Sequence, residues 1–361
     1  MLKIISKSLI LMLCILLFSS CNLFKKGTSS KDSTSKSDTT KFVSKDPGSG
    51  KDKVKLKYVV SKGDKFIYKS NVVNSVTEKD AASSEGVVQE KDNTYFYSNE
   101  VTDVDASGIM TYSVKFDSIK MTFRVDTQKI EYNSNVKDTS QLVLPAILFY
   151  NTMINSPFFM RVSSQGEITD IYGLEKIYEN FYHTMGDTLR DEEKSQVQQT
   201  FGKDFFADIL QQAFQYLPKQ DIVVDSSWVR ASRTQMPYTI FLTDKAHNAQ
   251  VPLTAVFDIT NNSKYTLTGV ENKNDHLIVN LDGGLSLDFL NKEVNEKGYI
   301  FKIENSETNG SGKISLDMKK GCLVSKQTST SVKIGIKVST GGQSKKTEEL
   351  QVTRVNIQLL N

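Results

Sequence analysis

The stretch that decides the fold is residues 110–125, which read MTYSVKFDSIKMTFRV. Apolar side chains stand at every second position from Met110 to Phe116, and the alternation resumes from Ile119 to Val125. A period of two is the spacing of a β-strand, whose successive side chains point to opposite faces. The stretch therefore predicts an antiparallel sheet with one apolar face and one face open to water.

The same alternation extends to both sides of this stretch. Upstream, a strand from Tyr95 to Val104 and the turn sequence Asp105–Gly108 predict a β-hairpin with it. Earlier still, the turn Lys62–Asp64 precedes Phe66, the first aromatic residue of another predicted strand. Downstream, strand patterns return in segments 223–228, 265–281 and 312–324.

Residues 140–218 interrupt the strands with a segment of predicted helices. The run Ser140–Ile154 is densely apolar, which indicates a buried helix, and Phe158–Ile171 indicates a second hairpin around a glycine turn. Apolar residues then recur at helical spacing, and we expect the apolar helix faces to pack against a sheet. The helices predicted after the hairpin are Leu174–Met185, a helix opened by the acids Asp191–Glu193, and Asp204–Leu217.

The strand segments after residue 218 repeat those before the helices. The matched pairs are 59–66 with 223–228, 95–116 with 265–281, and 159–171 with 312–324. Three matches in the same order predict a degenerate internal duplication. Trp228, the only tryptophan, opens the second half and is expected to be buried.

The predicted fold class is α+β, with two antiparallel half-barrel-like sheets and a helical segment between them in sequence. The predicted boundaries are a first β half at 55–139, the helical segment with its hairpin at 140–218, and a second β half at 219–361.

The first twenty residues are a predicted lipoprotein signal, with Cys21 as the residue that carries the lipid. Lys3 and Lys7 give a positive start, and Leu9–Phe18 is an apolar run too short to span a bilayer of roughly 30 Å. Leu17–Cys21 resembles the lipobox that signal peptidase II cleaves, although a phenylalanine stands where an aliphatic residue is usual. The alternative is an ordinary signal peptide followed by a chance cysteine. Two or three acyl chains would anchor the protein to a membrane without spanning it.

Residues 21–54 form a predicted disordered tether behind that anchor. Ser, Thr, Lys, Asp and Gly dominate, so the segment has too little apolar surface to offset its ordering entropy. About thirty flexible residues span roughly 30 Å, which would hold the body away from the bilayer. Ser33 and Thr39 each follow an aspartate, in a pattern similar to the O-glycosylation acceptor of Bacteroidota; a chance match is the alternative.

Composition and missing motifs narrow the function classes. The net charge is only +3 across 45 basic and 42 acidic residues, which predicts no nucleic-acid partner. The sequence contains no P-loop, dinucleotide-binding, zinc-protease or serine-hydrolase motif, and its three histidines are far apart. No cofactor or metal is therefore expected, and an enzyme is disfavoured. Cys322 has no partner for an internal disulfide and is expected in the core.

Aromatic residues concentrate in the predicted helices and allow two interpretations. Helix core packed on the sheets is one of them. The other is the lining of an apolar ligand cavity, for which the candidate residues are Tyr178, Phe181, Phe205, Phe206 and Phe214.

Several short stretches resemble a family of uncharacterised Bacteroidota lipoproteins that share a domain of unknown function. The resemblance covers roughly residues 56–361 and has no short catalytic motif, so it implies an envelope location and supplies no active site. The stretches that carry it are 62–66, 101–105, 116–121, 159–168, 201–202, 217–218 and 225–228.

Three functions follow as hypotheses. The first is a membrane-anchored envelope lipoprotein, in the outer membrane, that binds a protein partner or has a structural role without catalysis. The second is a carrier or sensor of a hydrophobic ligand such as a lipid, held between sheet and helices. The third is a hydrolase of envelope glycans. A filled core favours the first, a deep apolar cavity the second, and a cleft with two close carboxylates the third.

Overall fold

The computed structural model describes residues 42–80, 86–136, 145–186, 188–244, 249–273 and 275–361. In these ranges the chain is mostly strands, with few helices, and no helix there is long and apolar enough to cross a membrane. The strands are β1 (Val43–Lys45), β2 (Asp52–Val54), β3 (Lys65–Asp80), β4 (Gly86–Val104), β5 (Met110–Val125), β6 (Gln128–Asn133), β7 (Phe158–Val162), β8 (Ile168–Tyr172), β9 (Ile222–Val223), β10 (Ser227–Asp244), β11 (Ala249–Lys273), β12 (His276–Phe289), β13 (Glu293–Glu296), β14 (Tyr299–Asp317), β15 (Cys322–Thr340) and β16 (Gln343–Leu359). The helices are α1 (Pro145–Met153), α2 (Glu175–Thr184), α3 (Asp191–Thr200) and α4 (Lys203–Leu210).

One continuous antiparallel sheet joins both halves of the chain. Its order is β10-β11-β12-β14-β15-β16-β3-β4-β5-β7-β8, with β13 beside β14 and β6 beside β5. The prediction of two separate half-barrel sheets is therefore wrong. The reason is the pairing of β16 with β3, whose register runs from Leu359 opposite Tyr68 to Thr347 opposite Asp80.

The hairpins predicted from alternation are confirmed. β4 and β5 pair across the turn that includes Gly108, and β7 and β8 pair around Gly166. Along each strand, every second side chain lies on the face that carries the apolar cores, here called the inner face. The main core on this face contains residues such as Tyr112, Phe116 and Ile314, all of them buried.

The helices pack against the inner face, as expected from their apolar spacing. Phe149 of α1 stacks on Phe201 with ring centroids 4.1 Å apart. Phe206 of α4 lies 4.8 Å from Phe158 of β7, which in turn contacts Phe116 of β5. These contacts place the helices and the strands in a single apolar core.

The predicted end of the last helix needs correction. The last helix was expected to reach Leu217, but α4 ends at Leu210 and a single 3-10 turn, Gln211–Ala213, follows it. The reason is Gln211, whose side chain donates to the carbonyls of Gly166 and Phe214 and so holds this segment against the β7–β8 turn.

The disordered tether was predicted to extend to residue 54, but the described part of it is folded. β1, β2 and β9 form a second, three-stranded antiparallel sheet. Val54 is completely buried and Phe42 packs against the main core. Pairing with β9 orders this polar segment, because its backbone groups find partners that its composition does not reveal.

The large sheet curls along its length. A Cβ atom added to Gly312 would lie 2.5 Å from Thr328 Cγ2, and one at Gly310 would lie 2.7 Å from Leu285 Cβ, so the backbone at these positions leaves no room for a side chain. The curl brings β10 across the sheet, where the Tyr238 ring lies 6.3 Å from that of Phe301 on β14. A second, distal core lies here, formed by β10, β11, β14 and β15 around Phe257 and Phe301.

Two local features recur in both halves of the chain. A β-bulge follows Val101 in β4 and another follows Leu267 in β11. At each bulge a threonine hydroxyl donates to a carbonyl of the neighbouring strand, Thr102 to Thr111 at 3.2 Å and Thr268 to Asn280 at 3.1 Å. Each half also has a hairpin with a glycine at positive φ in its turn, Gly166 and Gly321, and a bulge beside that turn.

Candidate functional site: a polar belt on the inner face

Three of the predicted site residues lie outside the described residues. They are Cys21, the predicted lipid-bearing residue, and the two candidate glycosylation acceptors, Ser33 and Thr39. All three stay predictions.

The five aromatic residues predicted to line a ligand cavity belong to or border the main core. Phe181, Phe206 and Phe214 are buried, and Tyr178 and Phe205 are partly buried. Phe181 meets the Phe149 ring edge-on at 5.6 Å, and the Tyr178 hydroxyl donates to the carbonyl of Phe201 at 2.9 Å. Phe214 packs between the rings of Tyr58 and Tyr112. These contacts account for the five side chains as packing, and a cavity beside them stays a prediction.

Cys322 is buried, as expected, at the start of β15. Burial raises the pKa of its thiol to about 12, so the thiol stays protonated and is a poor nucleophile. His276 Nδ1 lies 2.6 Å from the buried carboxylate of Asp317, which also accepts the backbone N–H groups of Lys319 and Lys320. In the described ranges no three His, Cys, Asp or Glu side chains come together as a metal site would require.

Trp228 was expected to be buried, and this expectation is wrong in part. The side chain is only partly buried at the beginning of β10, where its ring lies 5.6 Å from that of Tyr265. The pair borders the main core, because Trp228 and Tyr265 are directly opposite each other on β10 and β11. The Trp228 side chain is thus partly accessible to solvent.

Between the two cores, the inner face carries a transverse row of mostly polar residues, here called the belt. Each member lies directly opposite the next on the neighbouring strand. The belt consists of Arg230, Ser263, Leu285, Gly310, Thr330, Thr353, Asn74 and Lys91. Along β11, Leu267 lies in the main core on one side of the belt, and Phe257 lies in the distal core on the other side. Along β11 the inner face is therefore apolar on both sides of a polar middle.

The belt and its flanks contain buried polar atoms without partners. Within the described residues, Arg230 Nη1, Thr234 Oγ1 and Asn261 Oδ1 make no hydrogen bond, and the same holds for Asn93 Oδ1. Asn261 and Asn93 are each only 6% exposed. Buried polar groups are nearly always paired in folded proteins, so such a group indicates water or a ligand that supplies the partner.

Two cations border the loop that follows α4. The Arg230 guanidinium lies over the ring of Tyr216, and its Nη2 is 3.6 Å from Glu167 of the β7–β8 turn. Lys326 of β15 donates from Nζ to Gln212 Oε1 at 3.3 Å. Burial lowers the pKa of Lys326 to about 8, because the ammonium gives up water for neutral amide partners.

Carboxylates gather at the distal end of the same face. Glu349 of β16 lies directly opposite Glu78 of β3. Burial, and then the charge of Glu78, raises the pKa of Glu349 to about 7. Burial likewise raises the pKa of the nearby Tyr238 hydroxyl to about 12.

A further carboxyl group with a raised pKa lies in α4, away from this end of the sheet. Burial and then the charge of Asp204 raise the pKa of Asp208 to about 8.

The belt was missed in the sequence, although part of its signal is visible there. Leu253, Ala255, Phe257 and Ile259 alternate along β11, and the same positions then change to Asn261 and Ser263 before returning to Tyr265 and Leu267. One strand with two polar inward positions carries little information. The belt appears only when the register aligns eight strands.

Residues 107–248 match a family of unknown function, DUF6263. The match covers β5 to β10, including the helices and the start of the belt at Arg230. No curated protein matches the chain.

Several solved structures are similar to the chain at low identity. Lipovitellin is 9% identical, with 84% of this chain and 26% of that chain covered and a TM-score of 0.39. The chain thus spans about a quarter of the lipovitellin chain. The β domain of the Bordetella autotransporter BrkA is 8% identical, with 80% and 98% covered and a TM-score of 0.19. A mutant porin of Rh. blastica is 9% identical, with 80% and 99% covered and the same TM-score.

Proposed function

We propose that this chain is a non-catalytic binding protein of the cell envelope, anchored in the outer membrane through lipid on Cys21. The sequence of residues 1–21 supports the proposed envelope location, since a positive start, a short apolar run and small residues before a cysteine suit a lipoprotein signal. The polar tether between Cys21 and residue 42 suits a body that works at a distance from the bilayer.

The observation that carries the binding role is the belt. Each buried polar atom left without a partner destabilises a fold by about 1–3 kcal/mol. Three such atoms, Arg230 Nη1, Thr234 Oγ1 and Asn261 Oδ1, lie on the adjacent strands β10 and β11. Five others among the described residues lie on β3 and β4, at Ser70, Asn93, Tyr97 and Asn99. A ligand that pairs them recovers this free energy on binding. The thiol of Cys322, in contrast, is held in the unreactive protonated form.

The proposal includes an internal duplication as the origin of the body. Matching threonines at the bulges of β4 and β11 support it, and so do the matching turns at Gly166 and Gly321. The contacts of these glycines also correspond. A Cβ atom on Gly321 would meet the backbone oxygen of Val59, ahead of β3, and one on Gly166 would meet that of Gln215, ahead of β10.

Metabolic labelling with an alkyne fatty acid tests the anchor. Wild type and Cys14→Ser should take up the label, whereas Cys21→Ser should not, because lipidation requires the thiol at position 21. Cys14 is the matched control, since it is a second cysteine within the signal sequence. Equal labelling of all three proteins would show that Cys21 does not carry the lipid.

A carrier of hydrophobic ligands is the second candidate. The observation in its favour is the distal core, where half-buried apolar side chains such as Met236, Ile240 and Phe289 surround the fully buried Phe257. A fluorescent fatty-acid probe should bind saturably under this function and lose affinity on Ile240→Lys. An absence of saturable probe binding removes this candidate.

A further inference from the structure

We propose that the inner face of β10 and β11, from Trp228 to Thr234, binds an anionic saccharide. The inference rests on the proposed binding function and names the ligand class of the same site. Its residues lie in three directly opposed pairs: Trp228 with Tyr265, Arg230 with Ser263, and Ser232 with Asn261.

The three unpartnered atoms lie close together along this surface. Arg230 and Thr234 are on the same face of β10, roughly 14 Å apart at about 3.4 Å per residue. Asn261 stands between them on the neighbouring strand, opposite Ser232. The surface has about the length of two sugar rings. The three atoms are themselves buried, so a ligand lying along β10 pairs with them only once the side chains that cover them have moved.

The chemistry of these atoms selects the ligand class. Arg230 Nη1 can only donate, Asn261 Oδ1 can only accept, and Thr234 Oγ1 can do either. Sugar hydroxyls both donate and accept, so one chain of them satisfies all three atoms. A hydrocarbon chain offers neither, and would leave each atom buried without a partner.

An aromatic side chain and a positive charge complete the arrangement. Trp228 is partly buried beside Arg230 on the same face, and its ring offers a flat apolar surface to the C–H side of a sugar. The Arg230 guanidinium is fixed over Tyr216 and its Nη2 lies 3.6 Å from Glu167, which leaves Nη1 as the donor for a carboxylate or phosphate. Lys326 contacts the same loop as Tyr216, at Gln212. A charged sugar is therefore favoured over a neutral one.

The test is an array of acidic and neutral oligosaccharides, followed by calorimetric titration of the best binder. The protein is the mature full-length chain in detergent. Wild type should bind uronate-, sulfate- or phosphate-bearing sugars saturably and neutral sugars at least ten-fold more weakly. Arg230→Gln and Asn261→Ala should each weaken binding at least ten-fold. Arg233→Gln is the matched control, because Arg233 is exposed on the opposite face of the same strand, and it should bind within two-fold of wild type.

Thermal unfolding of each variant separates lost binding from lost folding. If Arg230→Gln unfolds, Arg230→Lys takes its place and should keep the charge but bind several-fold more weakly. The inference is overturned if no acidic sugar binds saturably, if neutral sugars bind equally well, or if Arg233→Gln weakens binding as much as Arg230→Gln. Lipid labelling of Cys21 is measured in a separate experiment. A protein that is labelled but binds no sugar would therefore overturn the saccharide proposal and leave the proposed lipid anchor intact. A co-purified lipid in native mass spectra, displaced by no sugar, favours the carrier instead.

Discussion

The pair formed by Glu349 and Glu78 makes the stability of this protein depend on pH in a predictable direction. Burial, and then the charge of Glu78, raises the pKa of Glu349 from 4.5 to about 7 in the folded chain. Above pH 4.5 the unfolded chain releases this proton while the folded chain keeps it, so stability is lost as pH rises from about 4.5 to about 7. A tenfold change in acidity corresponds to about 1.36 kcal/mol. The upper limit is thus about 3 kcal/mol, and screening at a half-buried side chain reduces it to about 1–2 kcal/mol.

Urea denaturation of Glu349→Gln between pH 4.5 and pH 8.5 measures this effect. The variant should match wild type at pH 4.5 and exceed its free energy of unfolding by about 1–2 kcal/mol at pH 8.5. Glu78→Gln should give part of the same gain, because it removes the neighbouring charge. Glu348→Gln is the control: Glu348 lies on the outer face, 3.6 Å from Lys333, and should leave the pH profile unchanged. A difference between Glu349→Gln and wild type that is constant with pH would refute the reasoning.

Three further predictions concern the cores and the turns. A chain that begins at Phe42 should keep the thermal midpoint of the full chain, whereas one that begins at Leu56 should unfold several degrees lower, because it lacks β1, β2 and the buried Val54; equal midpoints would contradict the pairing with β9. In chemical denaturation Phe206→Ala should reduce the free energy of unfolding by about 3–5 kcal/mol, since its completely buried ring packs on Phe158; a loss below 1 kcal/mol would contradict this packing. Gly321→Ala should destabilise by more than the roughly 1 kcal/mol expected for strain at Gly341→Ala, because only at Gly321 would the new Cβ meet a backbone oxygen; equal losses from the two variants would exclude that contact.

Local patterns in the sequence predicted the local parts of this fold. The spacing of apolar residues predicts the β4–β5 hairpin and the helices α1 and α2, because the residues that form each of them are close together in sequence. The pairing of β16 with β3 has no such signal. The two strands are separated by almost the whole described chain. The alternation in each predicts a strand but does not indicate which other strand it pairs with.

The candidate site was less predictable than the fold, for a related reason. Arg230, Asn261 and Thr234 stand out only through their position between two cores, and that position depends on the register of β10 against β11. The aromatic residues of the helices were candidates for a cavity lining because they are concentrated in one segment of the sequence. In the structure, rings such as Phe149 and Phe201 stack on each other, and the polar minority on the strands marks the site.

The pairing of β16 with β3 also has a consequence for how the chain can fold as it is made. β3 occupies the middle of the finished sheet, yet one of its edges has to wait until β16 has emerged. Until then the hairpin of β3 and β4 presents a long open edge, and open edges invite pairing with the wrong strand. During synthesis from the N-terminus, the first half therefore cannot reach its final state alone. Completion depends on a contact between residues far apart in sequence, which makes folding slow and leaves time for a chaperone to cover that edge.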